Sequence, residues 1–110
     1  MPRVKVFVKE PIKVLEHLYK IQPWKFTEPY DGYTRGYYPT FDEGGFEHDV
    51  PVYLHATKDG IIITYRKADL LPIHRGDPYV EDVIIGEFEE LIKYAEKELE
   101  NSAKPVDAKP

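Results

Sequence analysis

Residues 29–41 read PYDGYTRGYYPTF, four tyrosines and a phenylalanine set among glycines and prolines. In an extended backbone, Tyr33, Arg35, Tyr37, Pro39 and Phe41 share one side, with Thr34, Gly36, Tyr38 and Thr40 on the other. Aromatic rings on either side of an arginine suit an unstacked nucleic-acid strand. Rings stack on any base, at ~1–3 kcal/mol each, and a guanidinium pairs with phosphate. Trp24, Phe7 and Tyr53 extend the candidate stacking set, and Lys5, Lys25, Arg35 and Arg66 are the candidate backbone contacts. The ordinary use of such rings is structural: they close over a sheet edge or pack on a helix, each hydroxyl finding a partner at the rim.

A second stretch, FDEGGFEHDV, gathers Asp42, Glu43, Glu47, His48 and Asp49. These oxygen and imidazole groups could ligate a divalent cation, with Gly44-Gly45 letting the loop curl. The spacing fits neither an EF-hand nor a zincin, so the stretch reads as a solvated acidic loop and no metal is assigned. His48 and His55 are separated by an odd number of residues, which puts them on opposite faces of one strand. His17 lies among charged helix residues and His74 beside Arg75 in a loop, so every histidine reads as a surface or satisfied polar group. There is no GxSxG, no phosphate-binding glycine loop and no HExxH. Ser102 is the sole serine and cysteine is missing, which removes serine and thiolate nucleophiles, disulfides and cysteine-held metals. No catalytic residue and no cofactor is assigned, and a non-enzymatic protein is expected.

These residues need elements to position them. RVKVFVK alternates, Val4, Val6 and Val8 against Arg3, Lys5, Phe7 and Lys9, and predicts a half-buried strand. EPIKVLEHLYKIQP predicts a helix over about 11–21, with Pro11 at its first position, Ile12, Leu15, Leu18 and Tyr19 on one face, and Pro23 blocking continuation. From Pro23 to Val50 one strand is placed, around 33–41, and Pro39 confines it to a sheet edge. VPVYLHATKDGIIITYR reads as a hairpin turning at Lys58-Asp59-Gly60. Asp77 and Pro78 open a last helix to about Glu100, with Val80, Val83, Ile84, Phe88, Leu91, Ile92, Ala95 and Leu99 at helical spacing.

The reading is therefore a single α+β domain over 1–100 and a disordered tail over 101–110. The order β-α-(β)-β-β-α implies a mostly antiparallel sheet of three to four strands with both helices on one face. The other face then carries Lys5, Phe7, Tyr53, His55, Ile62, Thr64 and Arg66, with the register between strands left open. The apolar stripe of the last helix outruns the first helix, which makes Phe88, Leu91, Ile92, Ala95 and Leu99 a candidate partner or homodimer surface.

Net charge is −5 over 110 residues, distributed unevenly. Residues 1–41 carry seven Lys/Arg against four Asp/Glu and hold nine of the fifteen aromatics, whereas 78–110 carry four against nine. Nucleic-acid affinity rests on Lys and Arg neutralising phosphates, so attraction would have to be local, with an acidic back surface. Scarce Asn, Gln and Cys beside abundant Lys, Glu, Tyr and Pro resemble a heat-adapted composition. The absence of cysteine, of a long apolar run and of a signal-like start favours a cytoplasmic protein without membrane association. The leading expectation is a single-stranded nucleic-acid-binding module with an acidic C-terminal helix for protein contacts or dimerisation. The alternative is a protein-interaction or regulatory subunit whose aromatic surface and acidic helix bind a protein partner.

Overall fold

Every stretch with period-2 alternation forms a strand, and both stretches with a three-to-four-residue apolar period form helices. The computed structural model describes residues 3–103. The chain runs β1 (Arg3–Phe7), α1 (Pro11–Ile21), β2 (Tyr33–Phe41), β3 (Glu47–Ala56), β4 (Gly60–Thr64) and α2 (Pro78–Ala103), with 3-10 turns at Lys67–Asp69 and Pro72–His74. The strands make one antiparallel sheet in the order β1-β4-β3-β2. This is the expected α+β architecture, and β2 lies at a sheet edge as Pro39 requires.

One sheet face is the core. Val6, Val52, Leu54, Ile61, Ile63 and Tyr65 pack there against Val14, Leu15 and Leu18 of α1 and Ile84, Phe88, Ile92 and Ala95 of α2. Gly36 is on this face because nothing larger fits. A Cβ there would stand 2.6 Å from Phe88 Cε1 and 2.8 Å from Phe26 Cε1, and those two rings meet edge to face with centroids 5.9 Å apart. Asp77 caps α2 as expected, its Oδ1 accepting from the Tyr79 amide at 3.0 Å.

The structure corrects three expectations. The stripe Phe88, Leu91, Ile92, Ala95 and Leu99 is not a free partner or dimer surface. Phe88, Ile92 and Ala95 are fully buried, and Leu91 and Leu99 pack against the same core. The sheet and α1 together cover what α1 alone is too short to cover. Second, α2 continues through residues 101–103, taking in the start of the expected tail; residues 104–110 lie outside the described residues. Third, residues 23–32 contain more than loop. Tyr30 and Tyr33 exchange both backbone hydrogen bonds at 2.9 Å around Asp31 (φ 53°) and Gly32 (φ 81°), a two-residue primed hairpin turn. The arm before this turn folds back along the outer edge of β2: Phe26 bridges Gly36, and the Thr27 amide donates to the Arg35 carbonyl at 2.9 Å. The edge left by β2 is thereby partly covered.

Candidate nucleic-acid interface

The strand register decides what lies on the other face. Arg3, Thr64, Tyr53 and Arg35 form one cross-strand row, and Lys5, Ile62, His55 and Tyr33 the next. Phe7 stands beyond the second row, while Tyr37, Pro39 and Phe41 continue down β2 on the same face. Arg3, Lys5, Phe7, Tyr33, Arg35, Pro39, Phe41 and Arg66 are exposed, and Tyr37, Tyr53, His55, Ile62 and Thr64 are half-buried. The Tyr-Arg-Tyr-Pro-Phe side of the 33–41 strand thus faces away from both helices, and Phe7 (70% exposed), Tyr33 (52%) and Phe41 (53%) present large apolar area to solvent.

The rings are arranged by the groups beside them. Tyr33 lies flat on its cross-strand partner His55, with centroids 4.1 Å apart and planes within 3°. The Arg35 guanidinium sits 5.3 Å from the Tyr37 ring centre, Arg66 5.7 Å from that of Tyr53, and Lys5 Nζ 5.2 Å from that of Phe7. Two of these cations carry a carboxylate partner, Lys5 with Asp59 and Arg66 with Asp69 at 3.0 Å. The Asp59 carboxyl is held below its usual range by the hydrogen bond from Lys5, and the Asp69 carboxylate holds the Arg66 guanidinium still higher than usual. Among the described residues Arg35 and Arg3 pair with no carboxylate.

Two sequence candidates stand elsewhere. Lys25 is not a backbone contact: its Nζ donates to the Tyr37 carbonyl at 2.9 Å, meets Glu87 Oε2 at 3.0 Å and lies 5.2 Å from the Phe88 ring centre. It ties the α1–β2 connection to α2 and is largely buried. Trp24 is 78% exposed on that same connection, and no contact joins it to the rings of the open face. Three residues outside the candidate set belong to the surface: Arg3, which the alternation of β1 already put beside Lys5; His55, stacked on Tyr33; and Tyr30, 83% exposed at the Asp31-Gly32 turn. The dipeptide Asp-Gly between aromatic runs is the signal by which that turn is found.

At the far end of β2 the chemistry changes sign. Glu47 lies opposite Phe41 and Asp49 opposite Pro39. Asp42 closes the β2–β3 loop, Oδ1 accepting from the Gly44 and Phe46 amides at 2.9 Å and Oδ2 meeting His48 Nε2 at 2.9 Å. These bonds, that of His48 foremost, keep the Asp42 carboxyl below its usual range. Among the described residues no cluster of three His, Asp or Glu could hold a metal ion.

The carboxylates of α2 are mostly engaged within the chain. Glu81 meets Lys67, Glu87 Lys25, Glu98 His17 and Glu100 Lys9, and Glu96 accepts from the Lys9 amide. Among the described residues no helix is long and apolar enough to cross a membrane. No family model, no curated protein and no solved structure matches this chain.

Proposed function

We propose that the open sheet face is a binding platform for single-stranded nucleic acid and that the chain is a non-enzymatic binding module. The observation that carries this is the register that assembles Tyr33, Arg35, Tyr37 and Phe41 with Tyr53, His55, Phe7, Arg3, Lys5 and Arg66 on one face that neither helix covers. Rings four residues apart along β2, with Arg35 and Pro39 between them, offer separate stacking places for splayed bases, and the interspersed cations supply phosphate contacts. The acidic helix lies on the opposite side of the sheet, away from the strand.

Titration of the protein with labelled single-stranded DNA and RNA tests the reading. Binding in the micromolar range or tighter that weakens with added salt supports it, and no binding at about 50 mM salt overturns it. Tyr37→Ala and Arg35→Ala are expected to weaken binding, the ring by ~1–3 kcal/mol, while the circular dichroism spectrum shows the fold retained. In a second reading the same rings anchor a protein partner. Glu47 and Asp49 at the Phe41 end favour it, since carboxylates there repel phosphate and suit a basic protein. Recovery of one stoichiometric partner, with no nucleic-acid binding by the isolated chain, would select that reading.

A further inference from the structure

The arm that precedes the Asp31-Gly32 turn borders one rim of the open face. A depression of about 420 Å³ lies there, lined by Thr27, Glu28, Tyr30, Asp31, Tyr33, Arg35 and Tyr53 together with Thr34. It is shallow and open to solvent, so a ligand there would rest on its rings and charges rather than be enclosed. Three tyrosine rings, two carboxylates and one guanidinium share this space. Although they line the same depression, Arg35 is not ion-paired with Glu28 or Asp31. Both signs of charge are therefore open to a ligand.

A ligand that fits has to meet both signs of charge. A divalent cation would be repelled by Arg35 and finds no cluster of three His, Asp or Glu among the described residues. A methylated ammonium group would suit three tyrosines with two carboxylates, but Arg35 in the same cage opposes a cation. A guanine nucleotide meets both signs of charge, with one carboxylate, the guanidinium and the tyrosine rings. Its base stacks on tyrosine. Its Watson–Crick edge presents two parallel donors, N1–H and N2–H, that a single carboxylate accepts side by side in charge-assisted hydrogen bonds. Its phosphate meets the guanidinium. The other bases fit less well, because adenine N1 and cytosine N3 present a lone pair to the carboxylate and uracil N3–H is flanked by two carbonyl oxygens.

We propose that this depression is a guanine-selective subsite, in which Glu28 or Asp31 reads the base edge, Tyr30 and Tyr33 stack and Arg35 holds the phosphate. The proposal rests on the open face binding a single strand, and it makes that surface selective at one position.

The test measures fluorescence anisotropy of a uracil-only oligonucleotide and of the same strand with one central guanine, adenine or cytosine. A single guanine avoids quadruplex formation. The guanine strand is expected to bind about five- to tenfold more tightly than the others, the scale of one bidentate pair. Glu28→Gln and Asp31→Asn alter exposed side chains, and asparagine tolerates the left-handed backbone at 31. One of them, or the pair combined, should abolish the guanine preference while uracil-strand binding is equal or slightly tighter. Equal affinity for all four strands overturns the subsite and leaves the platform standing, as does a preference that survives the double variant. Absence of binding to any strand removes the platform. Guanosine monophosphate as competitor separates the sources: competition stronger than that of adenosine monophosphate supports the pocket for the base itself, and equal competition by both counts against it.

Discussion

Tyr65 shows how a single atom departs from the satisfied interior around it. Its ring is fully buried and its hydroxyl has no hydrogen-bond partner among the described residues. Burial, with Glu81 and Asp82 nearby, pushes its ionisation up to about 12 from the ordinary value near 10. A raised value in the fold means that this group's contribution is whole below pH 10 and is lost as pH rises toward 12, because the unfolded chain ionises first. Tyr65→Phe keeps the ring and removes a hydroxyl whose unmet desolvation costs ~1–3 kcal/mol. The variant is expected to melt at the same temperature or higher, and to lose less stability between pH 10 and 12; scanning calorimetry at both pH values checks it. The alternation of β4 carried one residue past the strand sets Tyr65 inward, yet nothing in its neighbours along the chain indicates an orphaned hydroxyl, which depends on what packs over it from elsewhere in the chain.

At the scale of elements, the sheet and the two helices are held together by contacts that one substitution can separate. Gly36 is where β2 passes under the Phe26–Phe88 pair, so Gly36→Ala drives a methyl group into two buried rings. A loss of ~1–3 kcal/mol is expected from such overpacking, read as a lower midpoint in urea. Along the helix pair, Glu98 accepts from the Tyr94 hydroxyl at 2.7 Å and meets His17 Nε2 at 2.8 Å. Both bonds, that with His17 first, hold the Glu98 carboxyl below its ordinary value of 4.5. A depressed value means that the clamp contributes fully above that pH and is lost as pH falls through the lowered one. The melting temperature of wild type should drop more steeply from pH 6 to pH 3 than that of Glu98→Gln, and parallel curves would exclude the clamp. Element types were legible because their periods are local: β1, α1 and the β3–β4 hairpin follow from side-chain alternation and turn residues alone. The arm along the edge of β2 is not legible in the same way, although Asp31-Gly32 indicates a turn, because Phe26 and Lys25 take their direction from Phe88 and Glu87.

For the whole molecule, net charge and local charge point in different directions. The chain carries −5, but most carboxylates of α2 are tied to groups on α1 and the connecting segments, on the helical side of the sheet. The open face presents Arg3, Lys5, Arg35 and Arg66, two of them already paired with carboxylates. Two to four phosphates neutralised on a single strand correspond to a slope of about −1.4 to −2.8 for log affinity against log salt. That slope is the expectation for oligonucleotide titrations between low and physiological salt, and an affinity indifferent to salt would contradict a phosphate-contacting face. The stripe of α2 illustrates the same scale: its spacing indicates a face to be buried, and the domain's own sheet and first helix bury Phe88, Ile92 and Ala95 of it.

By itself the sequence determined which segments are strands and helices, the antiparallel α+β class, the edge position of β2 and the alternation that sets Tyr33, Arg35, Tyr37 and Phe41 on one side. Each of these depends on backbone preference or on the period of neighbouring residues. Only the tertiary structure decided the register that brings the Tyr33–Phe41 side of β2 onto the open face, that Lys25 turns inward, and that Tyr30 and Glu28 wall the rim beside Arg35. Those outcomes depend on strand register and on contacts between residues far apart in the chain, where burial of apolar area and pairing of buried charge select among arrangements that local preference leaves equal.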